Sequence, residues 1–79
     1  MFFCYILKSK IDGSLYKGQT ENLELRLKQH NSGKSDYTSR KAPWELVYYE
    51  EFDTREMALE REKYLKSAAG RRFIKTLNI

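Results

Sequence analysis

Residues 2–20 decide the fold, and their sequence is FFCYILKSKIDGSLYKGQT. The apolar and aromatic run at residues 2–8 predicts a strand, and residues 15–20 predict a second one. Asp12 and Gly13 lie between the two runs, and this dipeptide is a strong signal for the turn of a β-hairpin. The sequence therefore predicts two paired strands at the start of the chain.

An amphipathic helix is predicted directly after the hairpin. Leu23 and Leu27 recur at helical spacing, so residues 21–31 are expected to form this helix, with Gly33 as the signal that ends it. Residues 32–43 are rich in Ser, Lys and Gly and predict a connecting loop.

A third strand and two further helical segments are predicted in the second half of the chain. Residues 44–52 favour a strand, and Asp53, three residues before a glutamate, is typical of the cap of a helix that runs to about Ser67. Gly70 is expected to break that helix. A short last helix at residues 71–77 is then expected to pack on the sheet through its apolar residues Phe73, Ile74 and Leu77.

Length and charge limit the kinds of protein that this chain can be. With 79 residues there is room for one small domain, which we assign to residues 1–79. Fifteen basic residues against 11 acidic ones give a net charge of +4, which favours an anionic partner such as nucleic acid. The alternative is an ordinary surface of mixed charge, as many small proteins have.

The cysteine content and the apolar runs indicate a cytoplasmic protein. The single cysteine, Cys4, has no partner for an internal disulfide and is expected to be a small core residue. The apolar run around it is too short to span a membrane, and no basic region precedes it as in a signal peptide. We therefore expect no association with a membrane.

Two polar residues share a helix face with core leucines. Helical spacing places Arg26 and His30 one turn apart, beside Leu23 and Leu27. The planar guanidinium suits a phosphate, and the imidazole can relay a proton near neutral pH. The alternatives are an arginine at the rim of the core and a histidine that carries its charge at the helix C-terminus.

A carboxylate lies on the apolar stripe of the second predicted helix, which ends at about Ser67. Glu62 shares this stripe with Ala58, Leu65 and Ala69, where a carboxylate requires a cation. Mg²⁺ is often held by one or two carboxylates with water and substrate phosphate completing its shell. The alternative is an ion pair with Arg61 or another basic side chain.

Two tyrosines lie on the paired strands of the hairpin. Tyr5 and Tyr16 are ordinarily packing residues whose hydroxyl groups reach water. The neighbouring Gly18 points to a second interpretation, because a glycine inside a strand often marks close approach by a ligand or another chain.

Taken together, these segments resemble the GIY-YIG endonuclease superfamily, specifically its small stand-alone bacterial members related to the N-terminal nuclease domain of the excinuclease C subunit. The first motif has Phe3 and Cys4 before its tyrosine where a small glycine and its neighbour are usual, and the second has Lys17 in place of isoleucine. The resemblance is carried by residues 3–7 FCYIL, 16–20 YKGQT, 22–31 NLELRLKQHN, 43–50 PWELVYYE and 58–63 ALEREK.

The resemblance implies an α+β fold with a three-stranded antiparallel sheet flanked by two to three helices. It also implies metal-dependent hydrolysis of DNA, and a role in DNA repair, with one Mg²⁺ or Mn²⁺ ion. By position, Tyr5 and Tyr16 would activate or orient water and position the phosphate, while Arg26 would stabilise the transition state. His30 would assist proton transfer, and Glu62 would ligate the metal.

Two other functions remain open at the level of sequence. In one, the basic surface grips nucleic acid without cleaving it, extended by Arg71 and Arg72, and Tyr37 or Trp44 stacks on bases. In the other, the fold serves as a protein-interaction domain. We expect DNA ahead of RNA as the partner, and a second protein that supplies target specificity; the sequence does not fix the oligomeric state. The residues expected to contact nucleic acid are Lys17, Lys34, Arg40 and Lys41.

Overall fold

The protein forms a three-stranded antiparallel sheet in the order β2-β1-β3, which confirms the expected α+β fold. The computed structural model describes residues 1–32 and 36–79. The strands are β1 at Phe2–Ser9, β2 at Leu15–Thr20 and β3 at Trp44–Phe52. The helices are α1 at Leu23–Asn31, α2 at Asp36–Ser39, α3 at Arg55–Leu65 and α4 at Ala68–Thr76.

The predicted hairpin turn joins β1 to β2. Gly13 adopts a φ of 77°, a left-handed conformation that glycine reaches without steric cost. The Asp12 carboxylate accepts a hydrogen bond from the backbone N–H of Ser14 at 2.9 Å, so the aspartate stabilises the turn as well as starting it. The register that follows places Tyr5 opposite Gly18.

Packed side chains cover both faces of the sheet, because successive residues of β1 point to opposite sides. We call the two sides the α3 face and the α1 face, after the helices that cover them. The α3 face carries the buried residues Cys4, Ile6, Leu65 and Ile74, with Phe73 and Leu77 packed on them as predicted. The α1 face carries Tyr5, Leu7 and Trp44, with Tyr16, Leu23 and Leu27 packed on them.

The two longest predicted helices begin one or two residues later than expected. Helix α1 starts at Leu23 because the side chain of Asn22 accepts a hydrogen bond from the backbone N–H of Leu25 at 3.0 Å. Helix α3 is capped by Thr54, whose hydroxyl accepts from the N–H of Met57, so the assignment of the cap to Asp53 is wrong. Asn22 and Thr54 are common capping residue types, but so is Asp53, and residue type alone therefore did not identify the cap of α3.

The break between α3 and α4 occurs at residues 66–67, so the prediction that Gly70 ends a helix is wrong. Ser67 caps α4 and accepts a hydrogen bond from the N–H of Gly70, which lies inside that helix. A Cβ at position 70 would lie 2.0 Å from the carbonyl oxygen of Tyr64. Gly70 therefore permits close packing of the two helices.

The segment predicted as a loop contains the short helix α2, whose Thr38 is completely buried. The predicted signal for the end of α1, Gly33, falls outside the described residues. Within the ranges 1–32 and 36–79, no helix is long and apolar enough to cross a membrane.

Candidate functional site

Tyr5 lies at the centre of a polar cluster on the α1 face. Its side chain is only 2% exposed, so its hydroxyl does not reach water as an ordinary strand tyrosine would. A Cβ at Gly18 would lie 2.5 Å from the Tyr5 hydroxyl oxygen. The close approach that this glycine permits is therefore made by Tyr5 of the same chain.

His30 is fully buried beside Tyr5 and bonded through both ring nitrogens. Nε2 lies 3.0 Å from the Tyr5 hydroxyl, and Nδ1 lies 3.0 Å from the hydroxyl of Thr38. Burial, helped by the positive charge of Arg26, lowers the pKa of His30 to about 4. The imidazole is therefore neutral at pH 7, and the alternative of a charged histidine at the helix C-terminus is wrong.

Arg26 contributes the positive charge of the cluster. Its Nε donates to the Tyr5 hydroxyl at 3.4 Å, and its Nη1 donates to Gln29 Oε1 at 3.0 Å. The hydrogen bond to Tyr5 raises the pKa of Arg26, and a hydrogen bond to Tyr16 acts in the same direction. Within the described part of the chain no carboxylate pairs with Arg26. Its charge is thus held in place by neutral groups.

The hydrogen bonds of the cluster form one continuous network from Arg26 through Tyr5 and His30 to Thr38. Burial raises the pKa of Tyr5 to about 12, so its hydroxyl keeps its proton at neutral pH. Arg26 donates to the Tyr5 oxygen, and the hydroxyl groups of Tyr5 and Thr38 bond to opposite nitrogens of the His30 ring, whose tautomer decides which atom donates in each bond. These hydrogen bonds fix the orientation of Tyr5 and of Arg26.

Tyr16 lies at the outer side of the cluster and is partly exposed. Its ring centroid is 4.8 Å from that of His30 and 6.4 Å from that of Tyr5. The structure thus brings together four of the five predicted site residues: Tyr5, Tyr16, Arg26 and His30.

Glu62, the fifth, belongs to α3, and among the described residues no hydrogen bond joins it to the other four. Its carboxylate accepts a hydrogen bond from Lys66 Nζ at 2.8 Å, so it has the ion pair that the alternative interpretation predicted, although not with Arg61. Its negative charge is nonetheless close enough to raise the pKa of Tyr5 and of Cys4, in both cases behind burial as the main cause.

Carboxylates do not cluster around Glu62. In the residues that the structure describes, no group of three or more His, Cys, Asp and Glu side chains could hold a metal ion. The donor set therefore suits only a cation that takes one carboxylate from the protein and the rest of its ligands from water and substrate, which is how Mg²⁺ is often bound.

The residues predicted to contact nucleic acid fall in different places. Lys17 pairs with Ile6 on the α3 face, where burial and then the charges of Arg71 and Lys66 lower its pKa. Arg40 is exposed, and the Lys41 ammonium lies 3.3 Å from the Asp12 carboxylate. Lys34 lies outside the described residues.

The aromatic residues proposed for base stacking have little support. Trp44 is 3% exposed and its indole N–H donates to the backbone carbonyl of Thr38 at 2.7 Å, so its ring is a core element. The side chain of Tyr37 lies outside the described part of the structure.

Two residues of the cluster were not predicted from sequence. Gln29 follows Arg26 by three residues on the same helix, and this spacing could have identified it as a partner. Thr38 lies in a segment without hydrophobic periodicity, and nothing in the sequence linked it to His30.

Comparison with known proteins shows the family to which the chain belongs. The sequence model of the GIY-YIG catalytic domain matches residues 1–78. A UPF0213 protein of Clostridium perfringens is 49% identical over 67 residues, which cover 84% of this chain and 71% of that protein. A UPF0213 protein of Staphylococcus saprophyticus is 40% identical over 77 residues, covering 96% and 93%. The solution NMR structure of a UPF0213 protein from Bacillus halodurans is 36% identical with a TM-score of 0.57, covering 98% of this chain and 85% of that one. The chain therefore belongs to the GIY-YIG domain family, and its relatives are small UPF0213 proteins.

Proposed function

We propose that this protein hydrolyses phosphodiester bonds in DNA with the help of one divalent cation, Mg²⁺ or Mn²⁺. Membership of the GIY-YIG domain family supports a nuclease-type activity. The observation that carries the proposal is Arg26, a cation held among neutral side chains at the edge of a tyrosine cluster.

Arg26 is suited to the charge that develops during the reaction. When water attacks a phosphodiester, negative charge builds up on the non-bridging oxygens of the phosphorus. A guanidinium donates parallel hydrogen bonds to such oxygens and stays protonated throughout. Because its Nε and Nη1 are fixed by Tyr5 and Gln29, little rearrangement is needed when the phosphate arrives.

The two tyrosines are given different roles because their exposure differs. Tyr16 is partly exposed and can orient or activate the attacking water, whereas buried Tyr5 acts by positioning Arg26. His30 and Thr38 continue the hydrogen-bond chain behind Tyr5 and hold it in turn. His30 is therefore a positioning residue in this proposal, since it has no exposed surface with which to touch substrate.

Glu62 is the residue that would hold the divalent cation, whose chemical contribution would be to neutralise charge on the phosphate and leaving group. The partly exposed carboxylate is now paired with Lys66, which is exposed enough to move aside. The oxygen of water bonds to phosphorus while one ester P–O bond breaks, one proton leaves the water, and one proton reaches the departing oxygen.

Basic side chains around Glu62 support an anionic polymer as the substrate. Lys17, Lys66 and Arg71 lie close enough for the other two charges to lower the pKa of Lys17, behind burial as the main cause. Such a concentration of positive charge attracts a phosphate backbone without reading its sequence. This surface supports nucleic acid as the substrate class, with DNA proposed ahead of RNA.

The test is a cleavage assay with matched glutamate variants on α3. Labelled single-stranded, duplex and branched DNA, and single-stranded RNA, are incubated with the protein and Mg²⁺ or Mn²⁺. Glu62→Gln is compared with Glu60→Gln, which removes a charge from an exposed position of the same helix. We expect cleavage by the wild type and by Glu60→Gln, and none by Glu62→Gln with DNA binding retained.

Two results would contradict the proposal in different ways. Binding of nucleic acid by the wild type without cleavage under either metal would leave a binding module. Cleavage that persists in Glu62→Gln would remove the assignment of the cation to this carboxylate.

A further inference from the structure

A cleft of about 490 Å³ opens beside Arg26, where the end of β2 meets the first turns of α1 and the first residue of α3. Pockets of this volume are large enough for a small organic ligand. The polar side chains that decide its chemistry are Gln19, Glu21, Asn22, Arg26, Gln29 and Arg55.

The cleft carries two guanidinium groups and one carboxylate. Arg55 is exposed, and it forms no ion pair or hydrogen bond with any residue in the ranges 1–32 and 36–79. Arg26 is bonded only to neutral groups. Glu21 is the single acidic residue of the lining, so the cleft has a net positive charge and suits an anion.

Gln19 contributes a second feature to the cleft, an unpaired hydrogen-bond acceptor. Its Oε1 atom is buried and has no hydrogen-bond partner in the part of the chain that the structure describes. A buried acceptor without a donor is unfavourable, and a ligand that brings an N–H or O–H group would relieve this cost. The cleft thus offers Arg55 as a cation for a phosphate and Gln19 as an acceptor for a neighbouring hydroxyl or amino group.

Arg55 also has a defined relation to the proposed cleavage position. It precedes Glu62 by seven residues on α3, so the two side chains project within about 20° of one direction and about 10 Å apart along the helix. This separation is larger than the axial rise of one nucleotide in a duplex, about 3.4 Å, so the two side chains are positioned for different phosphates.

We propose that the cleft binds one nucleotide unit of the substrate strand that flanks the scissile position. Arg55 binds the flanking phosphate, Arg26 at the inner border of the cleft is kept for the neighbouring scissile phosphate, and Gln19 accepts a hydrogen bond from the sugar or the base. The identity of the polymer rests on the proposed function, whereas the binding of a flanking phosphate can be measured without any cleavage.

The experiment compares two charge-removing variants in EDTA, where no metal-dependent cleavage takes place. Binding of a dye-labelled single-stranded oligonucleotide is followed by fluorescence anisotropy over a range of salt concentrations. Arg55→Gln is expected to weaken binding about fivefold to tenfold at low salt and to make the slope of log K against log salt shallower by about one. The control Lys75→Gln removes one charge from an exposed position on α4 and is expected to have a much smaller effect on both quantities.

Substrates with single neutral methylphosphonate linkages locate the contact. In the wild type one flanking linkage should weaken binding when neutralised, and Arg55→Gln should be insensitive at that linkage alone. For Gln19→Met, weaker binding of RNA only would assign the donor to the ribose 2′-hydroxyl, and weaker binding of both RNA and DNA would assign it to a base. No effect on either polymer would remove Gln19 from the subsite.

The outcomes separate this inference from the proposed function. If the wild type binds and cleaves DNA while Arg55→Gln matches Lys75→Gln, the subsite is wrong and the nuclease proposal stands. If Arg55→Gln alone weakens binding but no metal supports cleavage, the subsite stands and the nuclease proposal fails. If the wild type binds no oligonucleotide, both are wrong.

Discussion

Two arginines on opposite faces of the sheet show how the same residue type serves different ends. Arg61, on the α3 face, donates from Nε to one Glu50 carboxylate oxygen at 2.8 Å and from Nη2 to the other at 3.1 Å. Its guanidinium carbon also lies 4.7 Å from the ring centroid of Tyr64. Arg26, on the α1 face, bonds to Tyr5 and Gln29, which carry no charge.

The difference lies in the counter-charge and not in burial. Glu50 neutralises Arg61 through two parallel hydrogen bonds, which makes Arg61 part of a structural ion pair. Arg26 is oriented equally well, but its charge is uncompensated by any carboxylate in the described residues. The role proposed for Arg26 depends on this difference, since an arginine without a counter-charge can bind an anion.

The variant Arg26→Gln is the most direct test of the difference between the two arginines. If Arg26 stabilises the transition state, single-turnover cleavage should fall by about 10²–10³-fold, the usual cost of removing one such donor. The melting temperature should change little, because the partners of Arg26 are neutral and part of its side chain reaches solvent. Equal losses of activity in Arg26→Gln and Arg61→Gln would show that the two arginines do not differ as described.

The neutral imidazole of His30 predicts a pH-dependent stability. The pKa of His30 is about 4 in the folded protein against 6.5 for an unperturbed histidine, so the unfolded chain takes up the proton first as pH falls. The full stabilisation is present above pH 6.5, and about 3 kcal/mol is lost between pH 6.5 and 4. Urea unfolding measured across this range should show the decline.

The control for this prediction is His30→Phe. The chain has one histidine, so this variant should lose most of the slope between pH 6.5 and 5, above the range in which most carboxylates titrate. A wild-type profile that is flat between pH 7 and 5 would contradict a neutral, buried imidazole.

The variant Arg61→Gln tests whether the ion pair between Arg61 and Glu50 contributes to stability. It leaves the half-buried Glu50 carboxylate without its cation, so we expect the free energy of unfolding to fall by about 1–2 kcal/mol while cleavage by the folded protein is unchanged. Chemical denaturation measures the first quantity and the cleavage assay the second. The double variant Arg61→Gln/Glu50→Gln should recover part of the loss; no recovery would argue against the ion pair as its cause.

The smallest expected effect concerns Glu62, whose partner is exposed. Lys66→Gln removes the ammonium that competes with a divalent cation, and an i,i+4 pair of this kind is worth a few tenths of a kcal/mol. Mn²⁺ should therefore bind about twofold more tightly, as measured by titration calorimetry. Weaker Mn²⁺ binding in this variant would show that Lys66 does not compete at the carboxylate.

Local chemistry was enough to predict the hairpin and the shared helix face of Arg26 and His30. Asp12 and Gly13 defined the turn, and helical spacing placed Arg26 beside His30. Gly70 was misinterpreted because the low helix propensity of glycine was outweighed by the close contact between α3 and α4.

The contacts that depend on distant packing could not be predicted. The burial of Thr38 against His30 and the pairing of Glu50 with Arg61 join segments eight and eleven residues apart, and the two groups in each pair meet only after the chain has folded. The resemblance to the GIY-YIG endonucleases selected the five candidate residues, but the roles of their supporting partners came from the geometry.

The contact of Tyr5 with Gly18 couples β1 to β2, because the side chain that one position can carry depends on the other. The space that the ring occupies exists only because position 18 has no side chain, and the hydroxyl at the end of that ring is shared by Arg26 and His30. One added methyl group on β2 would therefore displace three side chains on two other elements. At this pair of positions, the residue type on each strand constrains the residue type that the other can carry.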